Sequence, residues 1–241
     1  MRSEDAARSS GLQGEGSGED RIAALFTREV AVIATDPAAP VHGLFPEEAA
    51  QVARAVPKRR QEFAAGRACA REALRRRGGP WIALPTAPDR SPIWPTGFVG
   101  SISHCDSFCC AVVASSIDVA SLGVDVERAT PLDTAVANLV CRPEELAAFE
   151  RLGQAPQGGW SKVAFSAKES FYKAYVPVAR TFLDFHDVAL SFRPDAHFDQ
   201  GRFTAKILNP ARARLAPAGF EGAWIAFDGR IHTGVTLPRP G

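Results

Sequence analysis

Two short stretches carry most of the chemistry open to this chain. Gly123-Val124-Asp125-Val126-Glu127 alternates two carboxylates with apolar residues, and Phe165-Ser166-Ala167-Lys168-Glu169-Ser170-Phe171-Tyr172-Lys173 sets a glutamate between two lysines and among aromatics. If the first stretch is a strand, its two-residue period puts Asp125 and Glu127 on one face. Like charges so placed repel. An edge strand with a polar outer face tolerates them, and so does a strand on which a cation joins them. The flanking Leu122, Val124 and Val126 favour a partly buried strand, and hence the cation. Donors that are all oxygen suit magnesium or manganese better than zinc. If the second stretch is a helix, Phe165, Glu169, Tyr172 and Val176 fall along one row, so Glu169 borders an apolar stripe. A solvent-exposed Glu169–Lys173 pair would contribute only about 0.3–0.5 kcal/mol and leaves the aromatics unexplained. Lys168 and Lys173 bring positive charge to both sides of Glu169, which suits a phosphate beside a metal ion.

A second group of residues could bind anions. Arg59, Phe63 and Arg67 recur every four positions in a run with helical character, so they share a row, with the two guanidinium groups about 12 Å apart along the axis. Such a row is either a solvated basic face or a pair of cations aimed at one polyanion. Gly66 costs about 1 kcal/mol relative to alanine inside a helix, which points to a close backbone approach there. His104 closes a run of small residues and by itself carries no assigned role.

Composition narrows the classes. The formal net charge of +1 excludes a strong overall attraction to nucleic acid, so an anion site must come from local clustering. The five cysteines (Cys69, Cys105, Cys109, Cys110 and Cys141) form an odd set without metal-ligand spacing, and a cytoplasmic chain with buried thiols is expected. No apolar run approaches the roughly 20 residues of a membrane span. The 241 residues suffice for one large domain or two small ones sharing an interface.

The elements that must position these residues follow from periodicity and punctuation. Residues 1–20, rich in Gly, Ser, Glu and Asp, read as a disordered tail. Strands are expected at 29–35, 98–103, 109–115, 122–127, 188–193, 202–208, 223–227 and 231–237. Asp228-Gly229 signals a type I′ hairpin between the last two. Helices are expected over 46–56, 58–77, 133–140, 143–153 and 161–175, the last stopped by Pro177. The proline-rich segment 81–97, which carries Arg90, reads as an extended loop. The predicted class is α+β, in two similar subdomains of antiparallel strands on helices: 21–117 and 118–241, the second carrying the metal site.

Lys58-Arg59-Arg60 with Phe63 and Gly66-Arg67, Trp94-Pro95 with Gly100-Ser101-Ile102-Ser103-His104, and the two opening stretches match one family in type, order and spacing. Over roughly residues 45–208 the sequence resembles the 4′-phosphopantetheinyl transferases, in particular the large monomeric kind associated with siderophore, nonribosomal peptide and polyketide synthesis. The resemblance implies two pseudo-symmetric α+β halves with coenzyme A between them. It also implies transfer of 4′-phosphopantetheine to a serine of an apo acyl or peptidyl carrier protein, with release of 3′,5′-ADP. By position, Asp125, Glu127 and Glu169 would bind magnesium. Arg59, Arg67 and Arg90 would hold the phosphates of the nucleotide end, with Ser103 and His104 lining the same cleft. Lys168 and Lys173 would stabilise phosphate charge, and Glu169 would also serve as the base. Neither nucleic acid nor a membrane is an expected partner. Two alternatives are a non-catalytic homologue that only binds carrier or coenzyme A, and a magnesium-dependent nuclease. The latter expects a Glu-x-Lys triplet where Glu127 is followed by Arg128 and Ala129.

Overall fold

The structure is a computed structural model that describes residues 17–209, 211–213 and 219–239. Its described strands form two antiparallel sheets. The first has the order β1-β3-β2, from β1 (Ala31–Thr35), β2 (Phe98–Cys105) and β3 (Phe108–Ser115). The second has the order β4-β8-β7-β6-β5, from β4 (Val119–Arg128), β5 (Val188–Pro194), β6 (Gln200–Ile207), β7 (Phe220–Phe227) and β8 (Arg230–Pro238). Asp228 and Gly229 both have positive φ, as the type I′ turn between β7 and β8 requires.

One long helix lies on each sheet, so the halves share a plan and the class is α+β. The helix α3 (Pro57–Arg76) opens with proline at its first turn and buries Cys69, Ala70, Ala73 and Leu74 against Ile33, Ala111 and Val113. A Cβ on Gly66 would stand 2.9 Å from Ile102 Cγ2, so the expected close approach is real. The helix α6 (Gly159–Ala179) crosses β4 more tightly still. A Cβ on Gly123 would stand 1.9 Å from the Ser170 carbonyl oxygen, so only glycine lets the helix sit there. Pro177 does not stop α6. The helix runs to Ala179 and ends at Arg180, which takes a left-handed conformation, because Tyr175 and Ala179 stay packed in the core. The short helix α2 (Pro46–Gln51) precedes α3, and α4 (Thr134–Val140) and α5 (Pro143–Leu152) precede α6.

The two sheets meet at β2 and β4 through side chains. Ser101 Oγ accepts from the Val124 N–H at 3.1 Å, and Ser103 Oγ from the Val126 N–H at 3.2 Å. Away from the helices the sheets share a core in which Ile22, Leu25 and Phe26 cover Val32, Val112, Leu122, Val124 and Ile225. The helix that leads into this cover begins inside the expected tail of residues 1–20, which corrects that expectation for residues 17–20. Ser17 caps α1 (Gly18–Ala23) in a reciprocal capping box with Asp20, and Glu19 accepts from the Ala34 N–H, so residues 17–20 are built into the fold. Residues 1–16 lie outside the described residues. The helix expected over 46–56 ends at Gln51, and the remaining expected strands and helices fall where the sequence placed them, to within a few residues.

Candidate active site

The site grows from one face of β4 and one stripe of α6. Lys162, Ser166, Glu169 and Lys173 follow each other at spacings of four, three and four, which keeps them on one side of the helix. Gly123 presses that side against β4, where Asp125 stands. Lys173 Nζ lies 2.6 Å from Asp125 Oδ1 and 2.9 Å from Ser103 Oγ, and the Ser103 hydroxyl donates to Asp125 Oδ1 at 3.1 Å. The Ser166 hydroxyl donates to Asp125 Oδ2 at 2.8 Å. Further along, Lys162 Nζ lies 3.3 Å from Glu127 Oε2, its ammonium over the Phe165 ring.

Negative charge is crowded here. Burial, and then the Asp125 carboxylate, raise the pKa of both Glu127 and Glu169; Lys162 moderates the first effect and Lys173 the second. Burial works against the Lys173 ammonium, but the charge and hydrogen bond of Asp125, with Glu169 behind them, outweigh it and raise its pKa. Buried and half-buried carboxylates gathered so closely that the charge of Asp125 raises the pKa of Glu127 and Glu169 are a donor set in want of a cation, and their all-oxygen chemistry fits a hard divalent ion. Among the described residues no three His, Cys, Asp or Glu side chains are already gathered as a metal cage. Ammonium groups hold Asp125 and Glu127 in the present arrangement.

Ser103 and His104 link this cluster to a cavity of about 500 Å3 whose walls include Arg59, Phe63, Gly66, Arg67, Arg90 and His104. Arg67 is almost fully buried. Its Nε donates to the Leu84 carbonyl at 2.6 Å and its Nη2 to Thr86 Oγ1 at 2.9 Å, and its guanidinium stacks on Phe63. Burial lowers its pKa to about 10, which leaves it charged at neutral pH. Burial, with Arg59 and Lys173 nearby, lowers the pKa of His104 against the pull of Glu62. A neutral ring agrees with Nε2 accepting from Arg59 Nη1 at 2.7 Å. Arg90 sits with positive φ in the turn closed by the Thr86–Pro92 bridge.

Comparison with known proteins bears on this pairing of a cationic cavity with a carboxylate cluster. A model of the 4′-phosphopantetheinyl transferase N-terminal domain matches residues 47–114, and one of the 4′-phosphopantetheinyl transferase superfamily matches residues 121–225. The chain is 45% identical over 206 residues to the 4′-phosphopantetheinyl transferase Svp of Streptomyces mobaraensis, covering 83% of this chain and 81% of that one. It is 36% identical over 194 residues to the 4′-phosphopantetheinyl transferase PptT of Mycobacterium tuberculosis, covering 80% and 85%. It is 34% identical over 144 residues to the enterobactin synthase component D of Escherichia coli K12, covering 58% and 66%. The chain belongs to the 4′-phosphopantetheinyl transferases.

In this transferase the residues expected to act together mostly stand together. Asp125, Glu127, Glu169, Lys173 and Ser103 share the cluster, and Arg59, Arg67, Arg90 and His104 share the cavity. Lys168 is the exception, and its expected phosphate role is corrected. Its ammonium is fully buried on another side of α6, bonded to Glu145 Oε2 and to the carbonyls of Val140 and Phe185 at 2.8–2.9 Å. Glu145 in turn accepts from the backbone of Arg142 and Leu190. Lys168 thus ties α6 to α4, α5 and the turn at Phe185, and through Glu145 to β5. Five lysines and hydroxyls around the acids divide otherwise: Ser103 and Lys173 were expected, while Lys162, Ser166 and Thr233 were not. Lys162 and Ser166 could have been found by following the stripe from Lys173 back through Glu169. Thr233 faces Asp125 across the β4–β8 pair, and no local pattern marks it.

Proposed function

We propose that this transferase moves 4′-phosphopantetheine from coenzyme A to a serine hydroxyl of an apo acyl or peptidyl carrier protein, releasing 3′,5′-ADP, with magnesium or manganese bound by Asp125, Glu127 and Glu169. The observation that carries this reading is the continuity, through Ser103 and His104, between an arginine-lined cavity and an acid–lysine cluster. Arg59, Arg67 and Arg90 receive the phosphates of the nucleotide end. Arg67 reaches them pre-oriented, since Leu84, Thr86 and Phe63 already fix its plane. His104, neutral and held by Arg59, lines the path from that end to the pyrophosphate.

In the transfer, the serine oxygen attacks the pantetheine-side phosphorus, the phosphoanhydride bond breaks, and the electron pair leaves with the nucleotide phosphate. The serine proton passes to Glu169, whose raised pKa makes it a stronger base than an exposed glutamate. Lys173, kept charged by Asp125, stands where negative charge on the leaving phosphate is neutralised. A bound divalent ion would supply further neutralisation of pyrophosphate charge. The same reading includes action as a monomer, which size-exclusion chromatography with light scattering tests. Cytoplasmic residence agrees with coenzyme A as the donor.

The test is incubation with coenzyme A, a panel of apo carrier proteins and magnesium, read by intact mass. A phosphopantetheine mass gain, abolished by a chelator and by Glu169→Gln, is the expected result. No gain on any carrier from folded protein that still binds coenzyme A would favour a non-catalytic homologue.

A further inference from the structure

Asp125 has four lone-pair positions, and its two oxygens face different neighbours. Oδ1 takes Lys173 and Ser103, which belong to the chemistry described above. Among the described residues Oδ2 takes only Ser166, from the interior side of α6. Ser166 is fully buried, and so is Thr233, which lies 3.0 Å from it on β8 and is the register partner of Asp125. Thr233 also donates to the Ser166 carbonyl oxygen at 2.8 Å.

A proton inventory gives this group a direction. An ionised carboxylate only accepts, so the single Ser166 hydroxyl proton goes to Asp125. Ser166 Oγ can then only accept from Thr233, whose proton is shared between Ser166 Oγ and the Ser166 carbonyl. The chain therefore runs one way, from Thr233 through Ser166 to Asp125, inside a space closed to water. Neither hydroxyl can reach a substrate. What the pair does is fix the carboxylate plane, so that Oδ1 meets Lys173 and Ser103 and one lone pair of Oδ2 stays free.

On these grounds, and on the reading that Asp125 serves phosphopantetheine transfer as a metal ligand, we infer that Ser166 and Thr233 are positioning residues that set the orientation of Asp125 toward the divalent ion and Lys173. Supporting partners of a ligating carboxylate typically change metal affinity or activity by about 10–100-fold when removed. The arginine-cavity contacts of coenzyme A are not altered, so at saturating metal its KM should change little.

The experiment uses the full chain with Ser166→Ala and Thr233→Val, each beside its conservative counterpart, Ser166→Thr and Thr233→Ser. Mn2+ binding is measured by electron paramagnetic resonance without substrate, kcat and KM for coenzyme A by transfer to a carrier, and folding by thermal melts. The expected result is Mn2+ affinity and kcat each reduced about tenfold or more, KM for coenzyme A at saturating Mn2+ within about twofold of the parent, and recovery in the hydroxyl-retaining variants. Ser166→Cys, which keeps the volume and weakens the donor, stands in if alanine unfolds the chain. Folded variants whose Mn2+ affinity matches the parent overturn the inference, since a purely structural role moves only the melting temperature. If the parent modifies no carrier, the transfer reading fails on that arm alone, and the Mn2+ arm still decides whether Ser166 and Thr233 position Asp125.

Discussion

Replacing Lys168 with methionine separates a structural role from a phosphate-binding one. The substitution keeps an unbranched side chain of similar length in a fully buried slot. It removes three charge-assisted hydrogen bonds at once, to Glu145 and to the carbonyls of Val140 and Phe185. The Glu145 carboxylate, itself buried, is left with two backbone donors and no cation. Stranding one partner of a buried ion pair costs about 3–5 kcal/mol. In a chain of this size about 1 kcal/mol moves the melting temperature by about 2–4 °C, so the expected loss is about 6–20 °C. Thermal melts and urea titrations of the parent and Lys168→Met read this directly. A double variant with Glu145→Leu should recover part of the loss, because the uncompensated charge is removed with its partner. The KM for coenzyme A, measured well below the variant's melting temperature, should stay near the parent value. A variant that melts within about 2 °C of the parent but needs tenfold more coenzyme A would refute the reasoning and return Lys168 to the cleft.

The other perturbations probe the close helix contact, the cavity and the acid cluster. Gly123→Ala places a methyl group against the Ser170 carbonyl and the Ala174 amide nitrogen, backbone atoms that cannot swing aside, so loss of soluble folded protein or a fall of more than about 4 kcal/mol in unfolding free energy is expected. Arg67→Lys should raise the KM for coenzyme A by about tenfold, because one ammonium cannot replace a guanidinium that stacks on Phe63 while bonding Leu84 and Thr86; an unchanged KM would remove Arg67 from the nucleotide end. The raised pKa of Glu169 means that the folded state binds its proton more tightly than the unfolded state. Its contribution is therefore fully present below the ordinary glutamate pKa and is lost as pH rises through the raised one. Melts of Glu169→Gln should accordingly match the parent near pH 4 and exceed it near pH 7. Added magnesium should close that gap by stabilising the parent, and a gap that stays flat with pH would contradict the crowding of carboxylates.

Most of the fold was legible because its signals are local. The alternation of FVGSISHC and of LGVDVE, the proline-led starts of α2, α3 and α5, and the Asp228-Gly229 turn each act within a few residues of themselves. What failed depended on distant partners. Ser17 to Asp20 read as tail because the segment is polar and its role is to start the short helix that carries Ile22 onto a core shared by both sheets, with residues as far away as Ile225. Pro177 read as a stop because the sequence does not show how firmly Tyr175 and Ala179 are held beyond it.

The site shows the same division at finer scale. A helical period of 3.6 gives Glu169 two rows at once. One, through Phe165, Tyr172 and Val176, is apolar and stands out in the sequence. The other, through Lys162, Ser166 and Lys173, is polar and is the one that meets β4. Choosing the apolar row locates the border of the site but hides its interior, which is why Lys162 and Ser166 were passed over and Lys168 was drawn in. Lys168 and Lys173 look alike beside Glu169 in the sequence, yet five residues of helix turn through about 500°, or 140° net, and send them to different surroundings. One ammonium meets Glu145 in a sealed junction of four elements, and the other meets Asp125 at the edge of the cleft. The chemistry is thus assigned less by residue type than by which side of α6 Gly123 allows to touch the strand.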